Sequence, residues 1–185
     1  AYREYRTLMP QEGWAELDSA EVMSACLAVI AQAAGQVLLT DPVCGIGVCS
    51  QGEAFTALGP DGSVLTPGMV SFDTRAAELA RTWPEGFGVR RLYEITGHTA
   101  HPMFTLFKIL WLREHRPEVW EKAAHFYCFE ELLHAHLGLE PAISFPLAGR
   151  TMLFNVRTHT WDPEILAAIG LAPARLARAL PAGAV

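Results

Sequence analysis

The sequence predicts an α/β fold, in which helices pack against a sheet. Residues 18–35 carry apolar side chains at helical spacing, which is typical of a helix that lies on a sheet. Residues 43–49 (VCGIGVC) form an apolar run lightened by glycine, which is typical of a strand buried on both faces. Residues 103–115 (MFTLFKILWLREH) are apolar almost all round at helical spacing, so we expect a helix inside the domain.

Composition bounds the class of protein. A chain of 185 residues fits one domain and is long enough to bury a core. Its formal net charge of −6, with scattered Lys and Arg, argues against a nucleic-acid partner. The sequence contains no long stretch free of charged and turn residues and no basic-then-apolar leader. We therefore expect no membrane partner and a cytoplasmic location.

Cysteine and histidine spacing predicts neither disulfides nor a metal site. The four cysteines lie in apolar runs and never as C-x-x-C, so we interpret them as reduced core residues. The seven histidines lack the cysteine or carboxylate grouping that completes a metal site. The four cysteines are Cys26, Cys44, Cys49 and Cys128.

Turn and cap signals divide the chain into elements. We expect a short strand within residues 1–9 and then a loop, after which Asp18 and Glu21 offer a capping box to the first helix. The turn Pro60-Asp61-Gly62 predicts a hairpin. We expect the two hairpin strands at residues 54–58 and 64–72 and a further strand at 125–129. The expected helices are 74–83, 89–96, 103–115, 117–124, 130–137 and 162–169. We also expect a break at 84–88, and a loop and strand within 144–155.

Two features of this pattern suggest chemistry. The polar run 50–53 follows the expected strand 43–49, and ligands bind at the carboxyl ends of strands in open α/β sheets. An ordinary polar loop explains the same residues equally well. In the helix 103–115, a polar stripe that includes Thr105 and Lys108 runs along an otherwise apolar surface. A solvated helix edge would explain it, but a buried ammonium group needs a partner, and we expect a carboxylate or a backbone carbonyl.

The residues Met103, Thr105, Lys108, Trp111 and Leu112 resemble the first signature of the FGGY carbohydrate kinases. The likeness runs from Arg3 to the end of the chain. Its other motifs are P-x-x-G-W-x-E at 10–16, a stretch like G-I-T-N-Q-R-E at 47–53, W-x-D-x-R ending at Arg75, and A-S-R-T-M-L-F-N at 148–155, with Ser144 in place of the usual Asp.

This resemblance implies a ribonuclease-H-like fold of the actin and hexokinase class of ATPases, with a mixed sheet flanked by helices. Residues 1–185 would form the N-terminal, sugar-binding domain of such a kinase. We expect this domain to lack its first β-hairpin, and we expect the C-terminal ATPase domain to lie outside the chain. The exposed sheet edge left by the hairpin makes a homodimer one possible arrangement.

The resemblance also implies site residues. Glu53 would hold substrate hydroxyls, Gly52 stands where glycerol kinases have Arg, and Met103 stands where they have Tyr. Asp73 would lie beside the substrate, and Arg75 would either hold that carboxylate or donate to a sugar oxygen. The losses at Gly52 and Met103 suggest a substrate bulkier than glycerol. The signature residues expected to act structurally are Thr105, Lys108, Trp111 and Arg150.

As function, the resemblance implies an ATP-dependent carbohydrate kinase that transfers the γ-phosphate to a hydroxyl of a ketose or polyol. ATP and Mg would be bound mainly by the missing C-terminal domain, no catalytic residue is expected in this chain, and the chain alone should be inactive. The alternative is a stand-alone sugar-sensing or protein-interaction module derived from a truncated kinase. A serine or cysteine hydrolase is disfavoured because the sequence has no nucleophile elbow.

Overall fold

The computed structural model of the protein describes residues 1–37 and 40–184. Its main sheet has five strands in the order β1-β2-β4-β3-β5, and each neighbouring pair is antiparallel. All four residues of β3 are buried, and its whole length pairs with β5. The strands are β1 Thr7–Leu8, β2 Glu16–Leu17, β3 Phe55–Leu58, β4 Gly68–Met69 and β5 His125–Cys128.

Helices and two smaller strand pairs surround this sheet. Strand β6 pairs with β9 in parallel, and β7 pairs with β8 in antiparallel orientation. The helices are α1 Ser19–Ala34, α2 Ala77–Phe87, α3 Val89–Thr96, α4 Thr105–His115, α5 Pro117–Lys122, α6 Phe129–His136, α7 Phe145–Gly149 and α8 Pro163–Ile169, with a 3-10 turn at Pro173–Arg175. The remaining strands are β6 Ala142–Ser144, β7 Phe154–Asn155, β8 Thr160–Trp161 and β9 Arg178–Leu180. No helix in the described part of the chain is long and apolar enough to cross a membrane.

The expected helix ends lie where the cap residues placed them. The carboxylate of Asp18 accepts hydrogen bonds from the backbone N–H groups of Ala20 and Glu21 and so begins α1. Helix α3 ends at Gly97, which adopts the left-handed conformation. The expected hairpin between β3 and β4 is also present, with Gly62 at positive φ in its turn.

The strand predicted at residues 43–49 is wrong. This segment forms no strand, and Val43 and Ile46 are exposed. A strand is buried on both faces only within a sheet whose two faces are covered, and none of the described strands pairs with this segment. The same error misplaced two cysteines, since Cys44 and Cys49 are exposed, Cys26 is half-buried, and Cys128 alone of the four is buried.

Four further features differ from expectation. The break expected at 84–88 is wrong, because α2 continues through Pro84 to Phe87 and ends at Gly88. Helix α4 begins at Thr105 rather than at Met103, since Phe104 is extended and the N–H of Leu106 donates to the carbonyl of Thr151. Part of the loop expected after residue 144 is helix α7, and a short parallel strand, β9, lies in the tail for which no strand was expected.

The core confirms that α4 is an internal helix. Every residue from Thr105 to Leu112 is buried, Lys108 included. Helix α4 belongs to one large apolar cluster with Phe55 of β3 and Phe154 of β7, and a second cluster lies between α1, α6 and the neighbouring strands. Helix α4 therefore supports the end of β3 at which residue 53 lies.

Candidate functional site

Glu53 lies two residues before β3, where α4 holds its main chain. Its carbonyl oxygen accepts a hydrogen bond from the hydroxyl of Thr105 at 3.1 Å and another from Nζ of Lys108 at 3.2 Å. Two side chains one helical turn apart on α4 thus bind a single backbone oxygen. The position of Glu53 is fixed through its backbone, which leaves its side chain free for other contacts.

Lys108 is a fully buried cation. Its exposed fraction is 0%, and its ammonium group also lies 3.5 Å from the carbonyl of Met69 in β4. Burial lowers the pKa of Lys108 to about 8, while the nearby carboxylates of Asp73 and Glu53 oppose this change. The partner that the sequence required is therefore a pair of backbone carbonyls, and Lys108 links α4 to both β4 and the residue that precedes β3.

The carboxylate of Glu53 points at Arg150, which follows α7. Nε and one terminal nitrogen of Arg150 both contact Oε1 of Glu53. The guanidinium lies 5.1 Å from the ring centroid of Phe104 and 3.9 Å from the sulfur of Met103. The exposed fractions of the two side chains are 36% for Arg150 and 7% for Glu53. Three residues singled out in the sequence, Glu53, Met103 and Arg150, therefore meet at one place.

Gly52 completes this group. A Cβ atom added to Gly52 would lie 3.0 Å from both Cβ and Cγ of Arg150 and 3.5 Å from a methyl of Leu147. Contacts of 3.0 Å are closer than side chains normally tolerate. The space beside Gly52 is thus filled by the stem of Arg150.

Asp73 and Arg75 form a second group, which is sealed from solvent. Asp73 is 1% exposed, and its Oδ2 accepts from the backbone N–H of Ala15 at 2.7 Å. One terminal nitrogen of Arg75 donates to Oδ2 of Asp73 and to Oε1 of Glu16, each at 2.7 Å. Of the two roles that the sequence allowed for Arg75, holding the Asp73 carboxylate is the one observed. The side chains of Asp73 and Arg75 are only 0% and 2% exposed in this arrangement.

Two tryptophans enclose that guanidinium. Arg75 lies 3.7 Å from the ring centroid of Trp14 and 5.0 Å from that of Trp111. The two rings meet edge-on at 5.1 Å, and Trp111 stacks on His115 at 4.7 Å. The signature residue Trp111 therefore packs against the buried pair, which is a structural role.

Several residues of the site were not singled out from the sequence. Phe104 lies under Arg150, and His98 packs on Phe104 at 4.8 Å between ring centroids. Burial, and after it the charge of Arg150, lowers the pKa of His98. Glu16 is the last residue of the P-x-x-G-W-x-E motif, so the resemblance did point to this position. Nothing in the sequence identified Arg75 as its partner.

No group of three or more His, Cys, Asp or Glu side chains within residues 1–37 and 40–184 is arranged to hold a metal ion. Two cavities, of about 470 and 450 Å³, flank Tyr127 and Pro141 beside β5. Their lining contains neither Glu53 nor Arg150, and it groups no set of titratable side chains that points to a reaction.

A model of the N-terminal domain of the FGGY family of carbohydrate kinases matches residues 1–185. The chain belongs to this family. Among characterised relatives, it is 29% identical over 171 residues to the L-xylulose/3-keto-L-gulonate kinase of Escherichia coli, covering 89% of this chain and 33% of that protein. It is 32% identical over 185 residues to the glycerol kinase of Methylibium petroleiphilum, covering 95% of this chain and 37% of that protein.

Solved structures of FGGY kinases share the fold. The chain superimposes on the gluconate kinase of Lactobacillus acidophilus with a TM-score of 0.90 at 24% identity, covering 96% of this chain and 36% of that one. For the xylulose kinase of Rhodospirillum rubrum the TM-score is 0.87 at 22% identity, covering 97% and 37%. These likenesses confirm the predicted fold of the actin and hexokinase class. The chain spans about a third of the length of the relatives it matches.

Proposed function

We propose that this chain is the sugar-binding part of an ATP-dependent carbohydrate kinase whose substrate is a neutral ketose or polyol. The observation that carries the proposal is the Glu53–Arg150 pair, which combines a backbone fixed by α4 with a partly exposed polar face. Hydroxyl groups both donate and accept hydrogen bonds, so a sugar can use the carboxylate and the guanidinium together. Membership of the kinase family supports the same reaction class.

The charge of the pair supports a neutral substrate. Glu53 and Arg150 compensate each other, so the site has no free positive charge for a sugar acid. The carboxylate of an aldonate would approach Glu53, and like charges at close range repel. Arg150 occupies the space beside Gly52, so the missing side chain there leaves no extra room for a substrate. The apolar side chain of Met103, which lies beside the pair, is therefore the remaining support for a substrate larger than glycerol.

The proposed role of this chain is to bind and orient the sugar so that one hydroxyl can attack the γ-phosphate of ATP. Phosphoryl transfer depends on positioning and on charge stabilisation by a metal and cationic groups. We propose that ATP and Mg are bound mainly by residues outside this chain, since the chain matches the N-terminal domain of the family. Glu53, Arg150 and Met103 would then set which hydroxyl faces the nucleotide.

A thermal-shift panel of glycerol, xylitol, D-xylulose and D-gluconate on the full-length protein tests the substrate class. Xylitol or D-xylulose should stabilise the protein most, because binding adds about 2.7 kcal/mol at about 100 times the dissociation constant. A larger response to D-gluconate would contradict the neutral substrate, and a larger response to glycerol would contradict the size argument.

A coupled assay of ATP hydrolysis tests the division of labour. The isolated chain should show no sugar-dependent turnover. Turnover by the chain alone would overturn the proposal that the ATP-binding residues lie elsewhere. Sugar binding by a chain whose coding region is bounded by stop codons at both ends would instead favour the stand-alone sensing module.

A further inference from the structure

The missing side chain at Gly52 leaves space for the side chain of Arg150. A methyl group at residue 52 would lie only 3.0 Å from both Cβ and Cγ of Arg150. Gly52 does not have the positive φ that would itself demand glycine. The reason for glycine here is therefore the space that Arg150 occupies and not the backbone conformation.

Arg150 has hydrogen-bonding capacity to spare. Its Nε and one terminal nitrogen both contact Oε1 of Glu53, and no acceptor among the described residues reaches its second terminal nitrogen. On the carboxylate, no donor in the described part of the chain reaches Oε2 of Glu53. A donor and an acceptor thus lie side by side at a partly exposed surface, a pattern that matches two neighbouring hydroxyls.

The plane of the guanidinium is also constrained. Phe104 lies 5.1 Å from it on one side, and the sulfur of Met103 lies 3.9 Å from a terminal nitrogen. The space beside Gly52, the ring of Phe104 and the carboxylate of Glu53 together restrict the rotamers of Arg150. Because Arg150 then loses little conformational entropy when a ligand binds, binding is stronger.

We infer that Arg150 is a specificity-determining residue that donates directly to a hydroxyl of the sugar, and that Gly52 helps to set its position in this chain by leaving space for its stem. Arg150 was expected to act structurally, so this inference assigns it a new role. It rests on the proposed function, since it takes the Glu53 face as the sugar site. The sugar would bridge Oε2 of Glu53 and the free nitrogen of Arg150 through adjacent hydroxyls.

The test measures D-xylulose and xylitol binding by isothermal titration calorimetry for four variants of the full-length protein. Arg150→Gln should weaken binding about tenfold or more, as for loss of a hydrogen bond to a charged group. Arg150→Lys should retain part of the affinity because it keeps the charge and one donor. Gly52→Ala should also weaken binding, since its methyl displaces the stem of Arg150.

Gly86→Ala is the matched control. Gly86 lies in α2 with no atom within 4 Å of an added Cβ, so this variant should bind like the wild type. Unfolding of every variant without sugar is followed in parallel, because a purely structural Arg150 would change stability and leave the affinity of the folded chain unaltered.

The outcomes separate the two proposals. If the wild type binds and Arg150→Gln and Gly52→Ala bind equally well, the role of Arg150 is refuted while the proposed function stands. If the wild-type full-length protein binds none of D-xylulose, xylitol and glycerol, the proposed function itself fails. Loss of binding in Arg150→Gln without loss in Gly52→Ala would overturn the part assigned to Gly52.

Discussion

Arg75 and Arg150 each hold a buried carboxylate, yet their surroundings differ. The side chain of Arg75 is 2% exposed, lies between two tryptophans, and contacts Asp73 and Glu16. Arg150 is partly exposed, contacts only one oxygen of Glu53, and has a ring on one face. The first pair is enclosed by the protein, whereas the second lies at a partly exposed surface that a ligand could reach. Identical chemistry in the two pairs therefore supports different roles because solvent reaches only one of them.

The largest effect is expected from breaking the sealed pair. Arg75→Ala leaves Asp73 and Glu16 as buried charges without a cation, and we expect a loss of about 3 to 5 kcal/mol in the free energy of unfolding. Urea unfolding at pH 7 measures it. Arg81→Ala, which breaks an exposed pair with Glu78, is the control and should leave the free energy of unfolding almost unchanged. A similar cost for both variants would contradict the contrast drawn here.

A smaller effect, of opposite sign, is expected at Glu131. This carboxyl is buried in α6 without an arginine, and its Oε2 has no hydrogen-bond partner. Burial raises the pKa of Glu131 to about 8, although backbone N–H groups of Glu131 and Cys128 oppose the change. The folded state therefore retains a proton that the unfolded state releases from about pH 4.5 upward, so this residue lowers stability as the pH rises towards 8.

Glu131→Gln removes that cost. We expect the free energy of unfolding to rise by up to about 3 kcal/mol at pH 7, with the gain disappearing below about pH 4.5, where the carboxyl is protonated in both states. Urea unfolding between pH 4 and pH 8 provides the measurement, with Glu121→Gln as an exposed control. A gain that does not depend on pH would show that ionisation of Glu131 is not its cause.

The smallest effect on stability is expected at the open pair. Arg150→Ala vacates a partly exposed position that water can fill, so Glu53 becomes solvated rather than stranded. We expect a loss of about 1 kcal/mol in urea unfolding at pH 7, well below that of Arg75→Ala. An equal loss for the two variants would mean that Arg150 is as structural as Arg75, and it would remove the basis for treating the two pairs differently.

The sequence predicted local features well and distant contacts poorly. Asp18, Gly97 and Gly170 mark helix ends because a cap acts within one turn of its own helix. The burial of residues 43–49 depends on strands supplied from elsewhere, so apolar composition alone gave a wrong answer. Glu53 and Arg150 are 97 positions apart, and their contact could not be found by spacing. The buried cation at Lys108 was found, because a lysine on an all-apolar helix needs a partner wherever it lies.

The shared carbonyl of Glu53 has a consequence for how substrate preference can change. Thr105 and Lys108 hold the main chain at residue 53 without touching its side chain. Substitutions at residues 52, 53, 103 and 150 can therefore alter the surface that we propose faces the sugar while the backbone stays in place. Helix α4 would then hold the same backbone in place under different sugar-binding surfaces. Engineering of a new substrate preference should therefore leave Thr105 and Lys108 unchanged.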